Sequence, residues 1–244
     1  MNTIPGASAD HPFSSVSKIK TIRDVRVFQK PHDSIFAKLI IRRISRIFTF
    51  YLMRVRWATP NVVSTLALLF GFAAALFFLS PTYGMRVWGV VLLQLSLVLD
   101  CCDGELARIR GLQSPFGAWL DSVYDRLKEA AMIFAMALFV YQQGANGGNV
   151  NILFVGFAAV LGLQIMSFLR EAKKSSWPTS RTAEFYILPT VYIGSVDVII
   201  YGVSFAVLLG LQLWAVWFFA LISIPLIVKQ IASAWGLHKK KAAE

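Results

Sequence analysis

Asp100 and Asp103 stand three residues apart, and Asp121 and Asp125 four apart, within otherwise apolar stretches. On a helix these spacings put both members of a pair on one face. Two antiparallel helices joined by a short turn therefore aim four carboxylates at one point. Six of the 13 acidic residues fall between positions 100 and 129: these four, Glu105 and Glu129. A carboxylate in a membrane helix costs about 2.5–3.5 kcal/mol on insertion scales, and neighbouring like charges raise one another's pKa. Hard divalent cations bound through carboxylate oxygens, Mg2+ or Mn2+, offset both costs. Salt bridges to Arg108, Arg126 and Lys128 are a second way to neutralise part of the cluster. Gly104 follows Asp103, and Gly117 lies one turn before Asp121, each leaving room for a ligand or a close helix. With Arg108 one turn beyond Gly104, the set describes a metal-bound phosphate site, in which cations bridge phosphate oxygens and a guanidinium adds fixed positive charge. Arg110, further out, reads as a headgroup-facing loop charge.

The elements that must position these groups are helices in a membrane. Of 244 residues 57% are hydrophobic, mean hydropathy is +0.61, and only 15% are charged, against roughly 25% in soluble domains. That excludes an ordinary soluble domain. Long apolar runs without period-2 alternation favour helices over a barrel, and spans are expected at 60–80, 85–107, 116–141, 151–169, 187–209 and 212–234. The net charge of +11 is a matter of topology, and no nucleic-acid partner is expected. Eleven Lys and Arg precede the first span, others follow spans two, four and six, and the loop at 142–150 and the turn at 210–211 hold none. Both termini and the carboxylates are therefore expected on the cytoplasmic side of the cytoplasmic (inner) membrane. Residues 1–33 read as a polar cytoplasmic tail without a cleavable leader, with a short ordered piece around 25–28. Residues 34–56 read as a basic amphipathic helix at the membrane surface, 57–236 as the transmembrane domain and 237–244 as a basic tail. Thr59 and Pro60 mark the first helix start. The fold class is all-α: a polytopic membrane protein of six transmembrane helices preceded by a cytoplasmic amphipathic interfacial helix. Cys101 and Cys102 are adjacent, which suits neither a metal pair nor a mutual disulfide.

The run from Asp100 through Asp103, Gly104, Ala107 and Arg108 to Gly117, Asp121 and Asp125 resembles in full the signature DxxDGxxARx8GxxxDxxxD of the CDP-alcohol phosphotransferase family, eight fixed positions in 26 residues. The expected six spans, the amphipathic helix and the Thr59-Pro60-Asn61 start also look like that family. The resemblance implies that Asp100, Asp103, Asp121 and Asp125 hold two divalent ions and that Asp125 is also the general base. It implies further that Asn61, Val62, Val63, Ser64, Gly104, Ala107, Arg108, Ser114 and Gly117 bind the CDP-linked donor. Ser64 stands where the family more often has Thr, which keeps the hydroxyl. The implied reaction moves a phosphoalcohol group, foremost phosphatidyl, from the donor to the hydroxyl of a small alcohol in phospholipid biosynthesis, releasing CMP. A homodimer among membrane lipids is implied too.

The signature does not choose the alcohols. Arg170, Lys174 and Arg181, in the basic stretch after the fourth span, are candidate acceptor-binding residues for a phosphorylated acceptor such as inositol phosphate or glycerol phosphate. The segments at 30–33, 42–45 and 116–121 look more like members that handle inositol phosphate than like those that use choline or ethanolamine. CDP-inositol as donor is an alternative within the same chemistry. A membrane cation transporter is an alternative of another class, although it leaves Arg108 and Gly104 without a role.

Overall fold

A computed structural model describes residues 16, 19–30, 34, 37–144, 149–177, 185–188 and 191–243. Seven α-helices follow one another among these residues: α1 (Arg42–Leu52), α2 (Pro60–Phe78), α3 (Tyr83–Ile109), α4 (Pro115–Gln142), α5 (Asn151–Ser176), α6 (Ser195–Leu209) and α7 (Gln212–Ala243). A 3-10 helix at Asp24–Phe28 precedes them, and a π-helical stretch at Ala37–Ile41 leads into α1. Strands β1 (Phe185–Leu188) and β2 (Val191–Ile193) pair antiparallel ahead of α6. The chain is thus a predominantly α polytopic membrane protein.

Four helices are long and apolar enough to cross a membrane, namely α2, α3, α5 and the Gln212–Lys239 part of α7, where six spans were expected. Helix α4 has the length, 28 residues. Asp121, Asp125, Arg126, Lys128 and Glu129 fall in or next to its first half, so too short an apolar stretch remains after them. The expected span from 187 starts late, because its first residues form the hairpin. Helix α6 keeps 15 residues, about 22 Å at 1.5 Å per residue against a ~30 Å hydrocarbon core.

The contacts divide the chain into two compact units, Met1–Phe70 with Gln94–Asp125, and Gly71–Leu93 with Arg126–Glu244. In the first, Ile41, Ala58, Val63, Ala67, Val98, Leu99 and Cys102 form one apolar cluster and Ile19, Val25, Met53 and Ile109 another. Helix α1 departs from the simple surface-helix picture. Ile44, Ile47, Phe48 and Tyr51 do face outward, as a lipid-facing stripe should. The opposite stripe of Arg42, Ser45 and Thr49 is buried against Glu105 of α3 rather than turned to water. Arg42 Nη1 (2.9 Å), Ser45 Oγ (2.8 Å) and Thr49 Oγ1 (2.6 Å) all donate to that carboxylate, and Gln29 Nε2 adds a fourth bond at 2.9 Å. Glu105 is fully buried, and such a charge is tolerated only when paired and hydrogen-bonded. Arg110 corrects the expectation of a headgroup-facing charge. It is buried, and its guanidinium donates to the carbonyls of Leu52, Met53, Val55 and Ala58 at 2.7–3.2 Å. Leu52 and Met53 close α1, and Val55 and Ala58 belong to the connection that follows, so Arg110 ties the helix end and its exit together. Both cysteines are free thiols, and Cys102 lies in the core.

In the second unit small residues bring helices close. A Cβ on Gly156 of α5 would strike Ala137 of α4, and one on Gly162 would strike Ser223 of α7. Lys173 Nζ donates to Gln230 Oε1 at 2.6 Å, fastening the end of α5 to α7. Arg86 donates to the Ser80 and Pro81 carbonyls at 3.0 and 2.8 Å and lies over the Phe139 ring. Asp197, buried near the start of α6, accepts the Gly194 N–H at 2.9 Å, so it serves as a helix cap.

Candidate active site

The site is built where α3 ends and α4 begins, entirely within the first unit. Gly111 follows α3 with φ +64, a left-handed conformation that glycine adopts without the Cβ penalty. Its N–H donates to the Arg108 carbonyl, and the Leu112 N–H to the Ala107 carbonyl at 2.8 Å, the double bond that closes a helix end around a glycine. Three residues later Ser114 caps α4, its Oγ accepting the Gly117 N–H at 3.0 Å, with Pro115 in the first turn. The short connection folds α4 back beside α3.

Asp100, Asp103 and Asp121 meet as a result, with carboxylate oxygens from all three within 4.8 Å of one another. At that separation and an effective dielectric near 20, each ionised pair repels by about 3.5 kcal/mol. The cluster is therefore a candidate cation site, and its all-carboxylate donor set suits a hard divalent ion. Asp125, one turn further along α4, is half-buried and outside this group. Asp103 is buried, and Ser64 Oγ of α2 donates to its Oδ2 at 2.5 Å, with the Pro60 carbonyl 3.0 Å away as a second acceptor. That bond orients one carboxylate of the set.

The glycines of the signature face working groups. A Cβ on Gly104 would lie 3.3 Å from Arg108 Nη1, so the guanidinium is laid directly over that residue. Arg108 Nε donates to the Phe28 carbonyl, while its Nη2 is buried with no partner among the described residues. A buried donor left open beside clustered carboxylates points to an anionic ligand oxygen. A Cβ on Gly117 would lie 3.2 Å from Ser114 Oγ and 3.7 Å from Asn61 Oδ1, placing these three residues side by side.

Other expected donor-site residues fall variously. Val62 is exposed, Ala107 is half-buried, and Val63 is fully buried in the apolar cluster, which accounts for its side chain. Arg170 and Lys174, expected in a loop, belong to the last turns of α5, with Arg170 Nε 3.8 Å from Glu171 Oε1 and Lys174 exposed. Arg181 lies outside the described residues. As for neutralisation by neighbouring cations, Arg126 pairs with Glu129, Nη2 donating to Oε1 at 3.0 Å and Nη1 lying 3.0 Å from Oε2. Sequence reasoning gave no role to Glu105, Gln29 or Tyr124, whose hydroxyl lies 3.4 Å from Thr65 Oγ1. Only the burial cost of a lone acid at 105 signalled the first of these.

A sequence model of CDP-alcohol phosphatidyltransferase matches residues 57–228. Among similar curated proteins is a bifunctional IPC transferase and DIPP synthase of Aquifex aeolicus, 29% identical over 210 residues. The alignment takes in 86% of this chain but only 45% of that protein, so the chain spans less than half of that relative. A phosphatidylinositol phosphate synthase of Streptomyces avermitilis is 30% identical over 189 residues, 74% of this chain and 75% of that one. Among solved structures, the Mycobacterium tuberculosis phosphatidylinositol phosphate synthase with CDP-DAG bound superposes with a TM-score of 0.60 at 20% identity, covering 79% of this chain and 94% of that one. The two chains share a fold.

Proposed function

The chain belongs to the CDP-alcohol phosphatidyltransferase family, and from that premise we propose that it transfers a phosphatidyl group from CDP-diacylglycerol to a hydroxyl of a small phosphorylated alcohol, releasing CMP. The observation that carries this reading is the meeting of Asp100, Asp103 and Asp121 beside the open Nη2 of Arg108. These three aspartates, joined by Asp125, hold Mg2+ or Mn2+, two ions as the resemblance implies. Bound there, the ions supply Lewis-acid charge to the phosphate oxygens of the donor.

The chain's own residues do the rest. Asn61, Val62, Ser64, Ser114 and Gly117 border the nucleotide, with Val63 packed in the core behind them, and Gly104 and Ala107 leave space for its phosphates. Arg108, held at Nε by Phe28, presents its remaining N–H groups to the phosphate that leaves with CMP. Asp125, apart from the tight trio, is the carboxylate left with room to act as base. It takes the proton of the acceptor hydroxyl as that oxygen attacks the β-phosphorus and the pyrophosphate P–O bond breaks. Arg170, Lys174 and Arg181 draw in the acceptor phosphate, with inositol phosphate the first candidate, since the Streptomyces relative is named a phosphatidylinositol phosphate synthase. Helices α4 and α6 complete six spans, both termini and the site face the cytoplasm, and the enzyme works as a homodimer in the inner membrane.

The test is CMP release by detergent-purified protein with CDP-diacylglycerol, Mg2+ or Mn2+, and inositol phosphate, glycerol phosphate, serine or inositol in turn. One acceptor is expected to support release, and Asp125→Asn to reduce it by about 10²–10⁴-fold, the range for a lost general base. EDTA is expected to abolish release and added Mg2+ or Mn2+ to restore it. Absence of CMP with every acceptor, and with CDP-inositol as donor, would sink the assignment.

A further inference from the structure

A basic cavity lies in the same unit, apart from the aspartate cluster. It measures about 520 Å3 and is bounded by six cations, Arg26, Lys30, Lys38, Arg42, Arg43 and Arg46, together with Val27 and Gln29. Among the described residues no carboxylate lines it. Glu105 meets Arg42 but is itself saturated by Arg42, Ser45, Thr49 and Gln29. Asp24, on the same segment as Arg26, turns its Oδ2 to the N–H groups of Lys20 and Thr21 at 3.0 and 2.8 Å. Six cations around one cavity repel each other, and Arg42 is pinned at the wall by its buried ion pair. Such a surround is preorganised for an anion with several oxygens, which guanidinium groups bind in pairs of parallel bonds.

We propose that this cavity binds the phosphate of a lipid headgroup, at a site distinct from the catalytic one. The lipid source follows from its rim. Val27 (83% exposed), Leu39 (53%) and Ile40 (50%) stand open beside the cations, so apolar side chains flank the phosphate cradle as acyl chains flank a headgroup. A free anion has no use for them. All eight lining residues precede position 57, where the family match begins. The segment that carries them also touches the signature helix, because Phe28 accepts from Arg108 and Gln29 donates to Glu105. A bound headgroup therefore braces the residues that hold Arg108.

Calorimetric titration of the full chain in neutral detergent with EDTA present, so that the bare carboxylate cluster repels anions, tests the site. The probes are dioctanoyl phosphatidate, dioctanoyl phosphatidylcholine and inorganic phosphate. Phosphatidate is expected to bind at least tenfold tighter than either of the others. Lys38→Gln with Arg43→Gln should weaken it about tenfold or more, while Lys38→Arg with Arg43→Lys retains it. Thermal unfolding of both double variants should stay at the parent midpoint without lipid. Equal binding of phosphatidate by the Gln variant, or equal affinity for phosphatidylcholine, would overturn the site, and inorganic phosphate binding as tightly as phosphatidate would overturn the lipid source. None of these outcomes depends on the transferase reading, which CMP release tests separately.

Discussion

A hydroxyl 2.5 Å from Asp103 is the smallest part of the site whose loss can be read. Ser64→Ala removes one hydrogen bond to a carboxylate, about 1.5–3 kcal/mol for a charged partner, and loosens the hold on Asp103. The Mg2+ concentration for half-maximal CMP release should rise about tenfold or more, and Ser64→Thr should restore it. An unchanged metal requirement would show that Ser64 does not orient the cluster. Gly104→Ala acts on the other side, because its Cβ would arrive 3.3 Å from Arg108 Nη1 and push the guanidinium from its place. CMP release should fall about tenfold or more with little change in the unfolding midpoint, and full activity would mean that Arg108 has room to move. The carboxylates were legible in the sequence because i,i+3 and i,i+4 spacing is local and a helix converts it into a face. Ser64 was named only through the family likeness, since a residue 39 positions from Asp103 has no local pattern tying it there. The separation of Asp125 from the trio was not legible either, because spacing gives a common face but not a distance.

At the scale of elements the informative contact is α1 on α3. The apolar stripe of α1 was readable from its period. The fate of the opposite stripe was not, because Arg42 and Glu105 are 63 residues apart and basic residues on an amphipathic helix ordinarily face water. Glu105→Ala takes the paired carboxylate away from buried Arg42, a change that costs about 3–5 kcal/mol. The unfolding midpoint should drop by several degrees, and trypsin should cut within 42–54 while the rest of the chain stays intact. Unaltered protection of that stretch would remove the clamp from the account. Arg110 carries the same lesson, since four carbonyl bonds replaced the solvent-exposed role its position suggested.

For the whole molecule, membrane placement was legible from composition alone, because apolar length is a one-dimensional property. The span count was harder to read, since the residues before Ser195 form a hairpin and the charges of α4 occupy its first half. Topology is open to direct measurement. With Cys101 and Cys102 replaced by Ala, single cysteines at Gln143 and His238 should be labelled by an impermeant maleimide from opposite sides of sealed inner-membrane vesicles. Labelling of both from one side would overturn the proposed six spans. Helix α1, held along its length by Glu105 and at its end by Arg110, cannot roll about its own axis. Its outward row of Ile44, Ile47 and Phe48 therefore works as a float line, fixing how deep the protein rides and how far the aspartates lie beneath the waterline. Turnover should then respond to the thickness and packing of the surrounding lipid even where the chemistry of every substrate is unchanged.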